Sequence, residues 1–281
     1  MNPAKTLPVL LSPRVERLHP PFPVFRLRAW HGLAVAAIVV VASGAAVAQG
    51  GPTQLSPIGV IMKWMPLLLS GFVFNIAISL MAMTLGTVVG LALGLMAVSE
   101  TMPVRKVSWA VTQFFRNSPW LVLLFFAMFL VPYEFRLLGV TVPFPDWIKA
   151  VIGFSLPVMA NVSEIVRGAI RSIPDGQWES AEALAFSRRQ TMWMIILPQC
   201  LRRMLPPWMN LYSLVTMATV LASVVGVSEM LTLTSQVHAA EGGRPELLAP
   251  LYGFALLCFF VYCYPIDRLT RRLEHRFQVR L

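Results

Sequence analysis

The chain has 281 residues, 57% of them hydrophobic and only 13% charged, with a mean hydropathy of +0.68. A soluble domain carries about 25% charged residues, so this composition argues against a water-soluble fold and for the bilayer as solvent. The net charge is +10, but the basic residues sit in linkers between apolar runs and no basic-aromatic motif accompanies them; this is an orientation signal, not a nucleic-acid surface.

Residues 1–29 form a proline-rich basic arm, with Lys5, Arg14, Arg17, Arg26 and Arg28 against Glu16 alone. The apolar run 30–49 has the length of one membrane crossing. Ala46-Val47-Ala48 before Gln49 also fits a signal-peptidase site, but the basic leader is long for a signal peptide and favours a retained helix. On either reading the chain emerges on the non-cytoplasmic side.

The uncharged run between Lys63 and Glu100 predicts a helix at 67–98. Gly86, Gly90 and Gly94 recur along it every four residues, a small-residue stripe suited to close helix packing. Arg105 and Lys106 mark a cytoplasmic turn, after which residues 107–115 (VSWAVTQFF) are amphipathic. A second core span follows at 120–133, then a short outward loop at 134–146 and a third span at 147–170. Glu164 and Arg167, three residues apart on that span, are placed to neutralise each other. A polar insert occupies 171–205, a fourth span 208–229, and a weakly charged outer loop 231–250, where His238 stands alone. The fifth core span opens at 251, and the tail is again basic.

Basic residues concentrate in the arm, the 99–106 turn, the insert and the tail, which places all four and both termini on the cytoplasmic side. The expected fold class is therefore all-α and polytopic: a five-helix core plus one extra amino-terminal transmembrane helix. Its domains are an arm at 1–29, the extra helix at 30–49, a transmembrane domain at 64–272 carrying the insert, and a tail at 273–281. Cys200, Cys258 and Cys263 show no metal spacing, and the last two lie in an apolar run as small hydrophobes. No strand pattern competes.

The insert is the most informative segment. Pro174, Asp175 and Gly176 supply turn and cap chemistry before a short helix. Ala181, Ala183 and Ala185 leave one side of it nearly smooth, while Glu179 and Glu182 add negative charge to a basic face. Ser187 with Gln190 forms a capping box, whose helix is expected to run to Leu197, with Pro198 stopping or kinking it.

Glu179, Ala181, Ala185, Ile195, Leu197 and Pro198 fall at the spacing Glu-x-Ala-x3-small-x9-Ile-x-Leu-Pro. This resembles the EAA loop of permease subunits in binding-protein-dependent ATP-binding-cassette importers. Ser180 stands where the family's first alanine is usual, and Ala185 where glycine is usual. Glu164-Ile165-Val166-Arg167-Gly168, Ile173-Pro174, Gly176-Gln177, Arg116 with Ser118-Pro119, Leu197-Pro198-Gln199, Pro206-Pro207, and Gly226-Val227 with Glu229 are similar to the polar amino-acid branch of those permeases.

The resemblance, which spans 68–272, implies an inner-membrane permease subunit of an amino-acid importer. The coupling residues it implies are Gly176, Glu179, Ser180, Ala181, Ala185, Ile195, Leu197 and Pro198, which would seat in a groove of a separate cytoplasmic ATPase. It further implies a second permease subunit, identical or paralogous, a periplasmic or extracellular amino-acid-binding protein, and an amino-acid substrate. No cofactor is called for.

In the fourth span Ser213, Thr216, Thr219 and Ser223 share one face and are candidates to line the translocation path; bonding to their own backbone is the competing use of those hydroxyls. Where many relatives carry charged or amide residues before a Ser/Thr-Ser pair, this chain has Met217-Ala218-Thr219-Val220, which leaves the substrate's identity open. Importers of opines, other small zwitterions or peptides are the nearest alternative. An ion-coupled secondary transporter is disfavoured because no midplane Asp or Glu stands out. No phosphate-loop, zinc-helix or nucleophile-elbow motif occurs, so ATP hydrolysis is assigned to a partner and not to this subunit.

Overall fold

A computed structural model of the chain describes residues 55–137 and 140–277. The basic arm and the extra helix expected at 30–49 lie outside the described residues. Helix α1, Pro57–Met96, starts ten residues earlier than expected. Ser56 caps it through a 3.2 Å bond from the Gly59 amide, and Pro57 occupies its first turn. The charge on Lys63 does not end it, because Lys63 Nζ reaches Glu241 Oε1 at 2.7 Å and Trp64 Nε1 donates to the same oxygen at 2.8 Å. These two bonds hold the Glu241 carboxyl below its ordinary pKa. At ~1.5 Å per residue, α1 is about twice as long as a ~30 Å hydrocarbon core is thick.

After α1 come α2, Met102–Arg116, and α3, Trp120–Leu130, which meet at a bend of 103° across Asn117, Ser118 and Pro119. A two-stranded antiparallel hairpin follows, β1 Glu134–Leu137 against β2 Val140–Pro143, with Glu134 opposite Pro143 and Leu137 opposite Val140. This corrects the expectation of no strands: the short outward loop is rich in β-branched and aromatic residues (Phe135, Val140, Thr141, Val142), which favour pairing once both flanks are extended.

Helix α4, Asp146–Arg171, is the central element: 67% of its apolar window is buried, against 28–39% for the other three long spans. Phe154, Val158, Val162 and Val166 of α4 pack with Ile78 and Met83 of α1, Leu124 of α3, and Ile196 and Val215 further on. The other long helices turn residues such as Val73, Val88, Leu256 and Val261 outward, as a hydrocarbon solvent allows. Among the described residues, four helical runs are long and apolar enough to cross a membrane, or five if the bent α2–α3 pair makes one crossing.

Helix α5, Asp175–Ala183, lies in the polar insert. The chain then runs without a break from the turn Arg188–Gln190 through a π-helical turn, Thr191–Ile196, into α6, Leu197–Ala218. Pro198 therefore does not stop the helix. The widened turn, in which the Leu197 amide bonds the Met192 carbonyl five residues back, accommodates a proline in the first turn of α6. A 3₁₀ stretch, Thr219–Val225, ends at Gly226, whose φ of +87° is the left-handed conformation glycine adopts freely.

The supposed outer loop after it is largely helical: α7, Met230–Ala240, is capped by Glu229, whose Oε1 accepts from the Thr232 amide at 3.0 Å. Met230, Thr234 and Val237 form its buried stripe. A short turn, Pro245–Leu247, leads to α8, Leu248–Phe277. A second core joins Leu68 and Phe72 of α1, Met230 and Val237 of α7, and Leu251 and Phe259 of α8.

The glycine stripe sets the α1–α4 spacing. A Cβ on Gly86 would lie 2.4 Å from Val158 Cγ1, one on Gly90 would lie 2.6 Å from the Met159 carbonyl, and one on Gly94 would lie 2.5 Å from Val166 Cβ. Gly90→Leu must push the two helices apart, and overpacking of this kind costs ~1–3 kcal/mol. Thermal unfolding of the purified full chain in detergent should show a clear loss of stability; an unchanged midpoint would refute the close approach.

Candidate functional site

The insert folds into a peg fastened at both ends. Ile173, buried, closes the end of α4, and Trp178 of α5 is half-buried against the main core. The Arg188 guanidinium lies 4.8 Å from the Trp178 ring centre, a favourable cation–π geometry. Arg188 also approaches Glu100 at 3.3 Å, but both side chains are exposed and that pair adds little. On the far side, Arg203 of α6 donates to the Ser172 carbonyl at 2.6 Å and to its hydroxyl at 2.8 Å, and Gln199 reaches Gln177 at 3.4 Å. The capping box is present in full: the Ser187 hydroxyl accepts from the Gln190 amide, and the Gln190 side chain accepts from the Ser187 amide.

Within this frame the residues of the EAA-like pattern divide into two sets. Ala181 is buried, and Ile195 and Leu197 are half-buried against the core, so these positions fasten the peg. Gly176, Glu179, Ser180, Ala185 and Pro198 are exposed, as are Glu182 and Ala183, so these can meet a partner. The Ser180 hydroxyl donates back to the Gly176 carbonyl at 2.6 Å. Leu184 at the tip is 71% exposed.

Ala185, where the resembled family has glycine, adopts φ 59°. The Phe186 amide bonds the Ala181 carbonyl and the Ala185 amide bonds the Glu182 carbonyl, the two bonds of a Schellman helix end. The tight turn is thus kept, with an alanine in the left-handed region at a strain of ~1–2 kcal/mol.

Glu164 and Arg167 do pair, Arg167 Nε reaching both carboxylate oxygens at 3.2 and 3.1 Å, with Arg116 3.7 Å away. A cavity of about 620 Å³ opens beside them, lined also by Asn161, Arg203 and Asn210. The four hydroxyls of the fourth span have different surroundings. Thr216 donates to the Tyr212 carbonyl at 2.9 Å, Thr219 to that of Thr216 at 2.6 Å, and Ser223 to that of Val220 at 2.7 Å. Thr216 and Thr219 are fully buried. Ser213 lines a cavity of about 600 Å³ between α6 and α8, and its buried Oγ has no hydrogen-bond partner among the described residues.

Glu229, the cap of α7, is fully buried. Its Oε2 accepts from Asn75 Nδ2 at 2.9 Å; Asn75 Nδ2 also donates to Thr219 Oγ1 at 2.9 Å, and Asn75 Oδ1 accepts from the Met230 amide at 3.1 Å. One amide therefore joins α1, the 3₁₀ stretch and α7. The sequence reading passed over Asn75, although a lone asparagine in an uncharged run is a usable signal. It also passed over Lys149, whose buried Nζ is 3.2 Å from Asp146 and 3.1 Å from the centre of the Tyr133 ring. The Asp146 contact is an ion pair without hydrogen-bond geometry. His238 Nε2 lies 2.9 Å from the Arg244 carbonyl.

If Ala185 is strained as described, Ala185→Gly should stabilise the chain by ~1 kcal/mol, the left-handed penalty less the entropy of the added glycine. The thermal midpoint in detergent checks this; a lower midpoint would contradict it.

Comparison with known proteins agrees with this architecture. The profile of the family described as "Binding-protein-dependent transport system inner membrane component" matches residues 86–279. The L-cystine transport system permease protein TcyB of Bacillus subtilis (strain 168) is 30% identical over 212 residues, covering 75% of this chain and 86% of that protein. The glutamine transport system permease protein GlnP of Escherichia coli (strain K12) is 31% identical over 209 residues, covering 74% and 94%. A solved structure described as "an amino acid ABC transporter with histidines" superposes with a TM-score of 0.66 at 24% identity, covering 77% of this chain and 96% of that one, a likeness of fold. The chain belongs to the inner-membrane components of binding-protein-dependent transport systems, a family of transport subunits and not of catalysts.

Proposed function

We propose that this chain is the permease subunit of an ATP-driven amino-acid importer and that α5 with its flanking turns is the lever through which a separate ATPase moves it. The single observation that carries the proposal is the peg itself: exposed Glu179, Ser180, Glu182 and Leu184 are held on a helix whose other side is anchored by Ala181, Trp178, Ile195 and Leu197. A peg so fastened transmits a push to α4 and α6 without bending. Curated relatives named for cystine and glutamine transport support the amino-acid class.

In this reading Gly176, Glu179, Ser180 and Ala185, with Pro198 at the rim, meet the groove of a cytoplasmic ATP-binding subunit. Ala181, Ile195 and Leu197 keep the peg rigid. A second permease subunit, identical or paralogous, completes the path, and a periplasmic or extracellular binding protein delivers substrate. ATP binding draws two pegs together and tilts the helices between inward-open and outward-open states, a population shift driven by nucleotide contacts that differ between the two. The domain plan follows: transmembrane domain 64–272 with coupling loop 171–205, the arm 1–29 and tail 273–281 on the cytoplasmic side, and an added crossing at 30–49. Of the path candidates Ser213 is best placed, because it lines a cavity and its hydroxyl is not tied to a backbone carbonyl, whereas Thr216, Thr219 and Ser223 bond to backbone carbonyls.

The test is ATP-driven uptake of an amino-acid panel by proteoliposomes holding the complete transporter, wild type against Glu179→Lys. Wild type should accumulate at least one amino acid, while the variant should lose uptake and co-purify far less ATPase. Undiminished uptake and co-purification in Glu179→Lys would overturn the coupling assignment, and uptake of none of the panel would overturn the substrate class.

A further inference from the structure

The cavity of about 620 Å³ lies between α4, α6 and the end of α2, and its size falls within the ~300–1,000 Å³ range of small-molecule sites. One face of each long helix forms it. Asn161, Glu164, Gly168 and Ser172 recur at steps of three and four along α4, and Arg203, Pro207, Asn210 and Leu214 do so along α6. The cavity sits at the peg end of both helices, because the Arg203 bonds to Ser172 that fasten the peg are part of its wall.

Its polar groups carry both signs of charge. The Glu164 carboxylate and its two partners, Arg167 and Arg116, all line the same space. Arg116 stands 3.7 Å from Glu164 and makes no hydrogen bond among the described residues, so its donors are open. Two amides complete the set. Asn161 donates from Nδ2 to the Pro157 carbonyl at 2.8 Å and keeps its Oδ1 unbonded among the described residues. The exposed Asn210 side chain makes no hydrogen bond among them either. Ile165, Leu211 and Leu214 supply apolar wall beside these groups.

We infer that this cavity binds the zwitterionic head of a free amino acid, with its carboxylate on Arg116, its ammonium among Glu164, Asn161 and Asn210, and its side chain along Leu211 and Leu214. The lining decides the class of ligand. A simple anion would use Arg116 but would be set against the Glu164 carboxylate, while a simple cation would meet the guanidinium groups of Arg116, Arg167 and Arg203. An acyl chain would bury open donors and acceptors without partners. A ligand with both charges and an apolar part matches every wall. The inference rests on the importer reading for the choice of an amino acid among zwitterions. It adds that the permease itself recognises the solute, at the end of the fold that the peg marks.

The experiment is equilibrium dialysis of the detergent-purified full chain, with neither ATPase nor binding protein, against a panel of radiolabelled amino acids. At least one should bind, and an excess of its decarboxylated amine, of its deaminated acid or of inorganic phosphate should not displace it. Arg116→Gln should weaken binding about tenfold, and Asn210→Leu about fivefold. Gly168→Phe should abolish binding with the thermal midpoint kept, because a Cβ at Gly168 meets nothing within 4 Å and the ring then fills the cavity. Should Arg116→Gln not fold, the other two variants carry the test. Binding of none of the panel, displacement by the amine, the acid or phosphate, or undiminished binding by the variants would overturn the inference. Uptake by the complete transporter without binding to the isolated chain would remove this site and leave the importer reading standing; binding without uptake would do the reverse.

Discussion

The architecture depends on how closely α1 approaches α4. In a bilayer there is no hydrophobic drive to bring two apolar helices together, so contact must come from shape. Gly86, Gly90 and Gly94 supply that shape by letting Val158, Met159, Val162 and Val166 rest on bare backbone. This holds α4 from Ser155 to Val166, and α4 ends just before the peg. In the proposed coupling role α4 is the fulcrum of a lever, and the glycine stripe would keep it firm.

Polar groups then lock the second half of the fold to the first. Asn75 spends both ends of its amide on groups from the 3₁₀ stretch and from α7, so the segment after Gly226 is tied to α1 inside the protein and not merely laid on its surface. A buried carboxylate is costly unless it is hydrogen-bonded, and Glu229 receives bonds from Asn75 and from the first turn of α7. The same residue thus serves as helix cap and as cross-brace, which explains a carboxylate at that depth without giving it a role in proton coupling.

Much of this was legible in the residues. The glycine spacing announced its packing role, the Ser187–Gln190 box its cap, and Glu164–Arg167 their pairing, because each depends on neighbours within four positions. What escaped depends on distant partners. Helix α1 runs through Lys63 because Glu241 lies opposite. Residues 230–240 fold as a helix because Met230, Thr234 and Val237 find a core formed by α1 and α8. Pro198 reads locally as a stop, yet the π turn before it lets the helical run continue. The coupling pattern showed its spacing but not its division of labour: Ala181 looked like part of a smooth docking face and proves to be an anchor, while Ala185 keeps the turn usual for glycine at the expense of strain.

The proposed coupling role requires the peg to face the cytoplasm with Ser180 accessible to a partner. The most direct measurement is labelling of a Ser180→Cys variant, with Cys200, Cys258 and Cys263 replaced by alanine, by a membrane-impermeant maleimide in intact cells and in inside-out vesicles. Labelling in the vesicles alone, suppressed when the ATPase is bound, is the predicted result. Labelling in intact cells would place the peg on the wrong side of the membrane and contradict the coupling role.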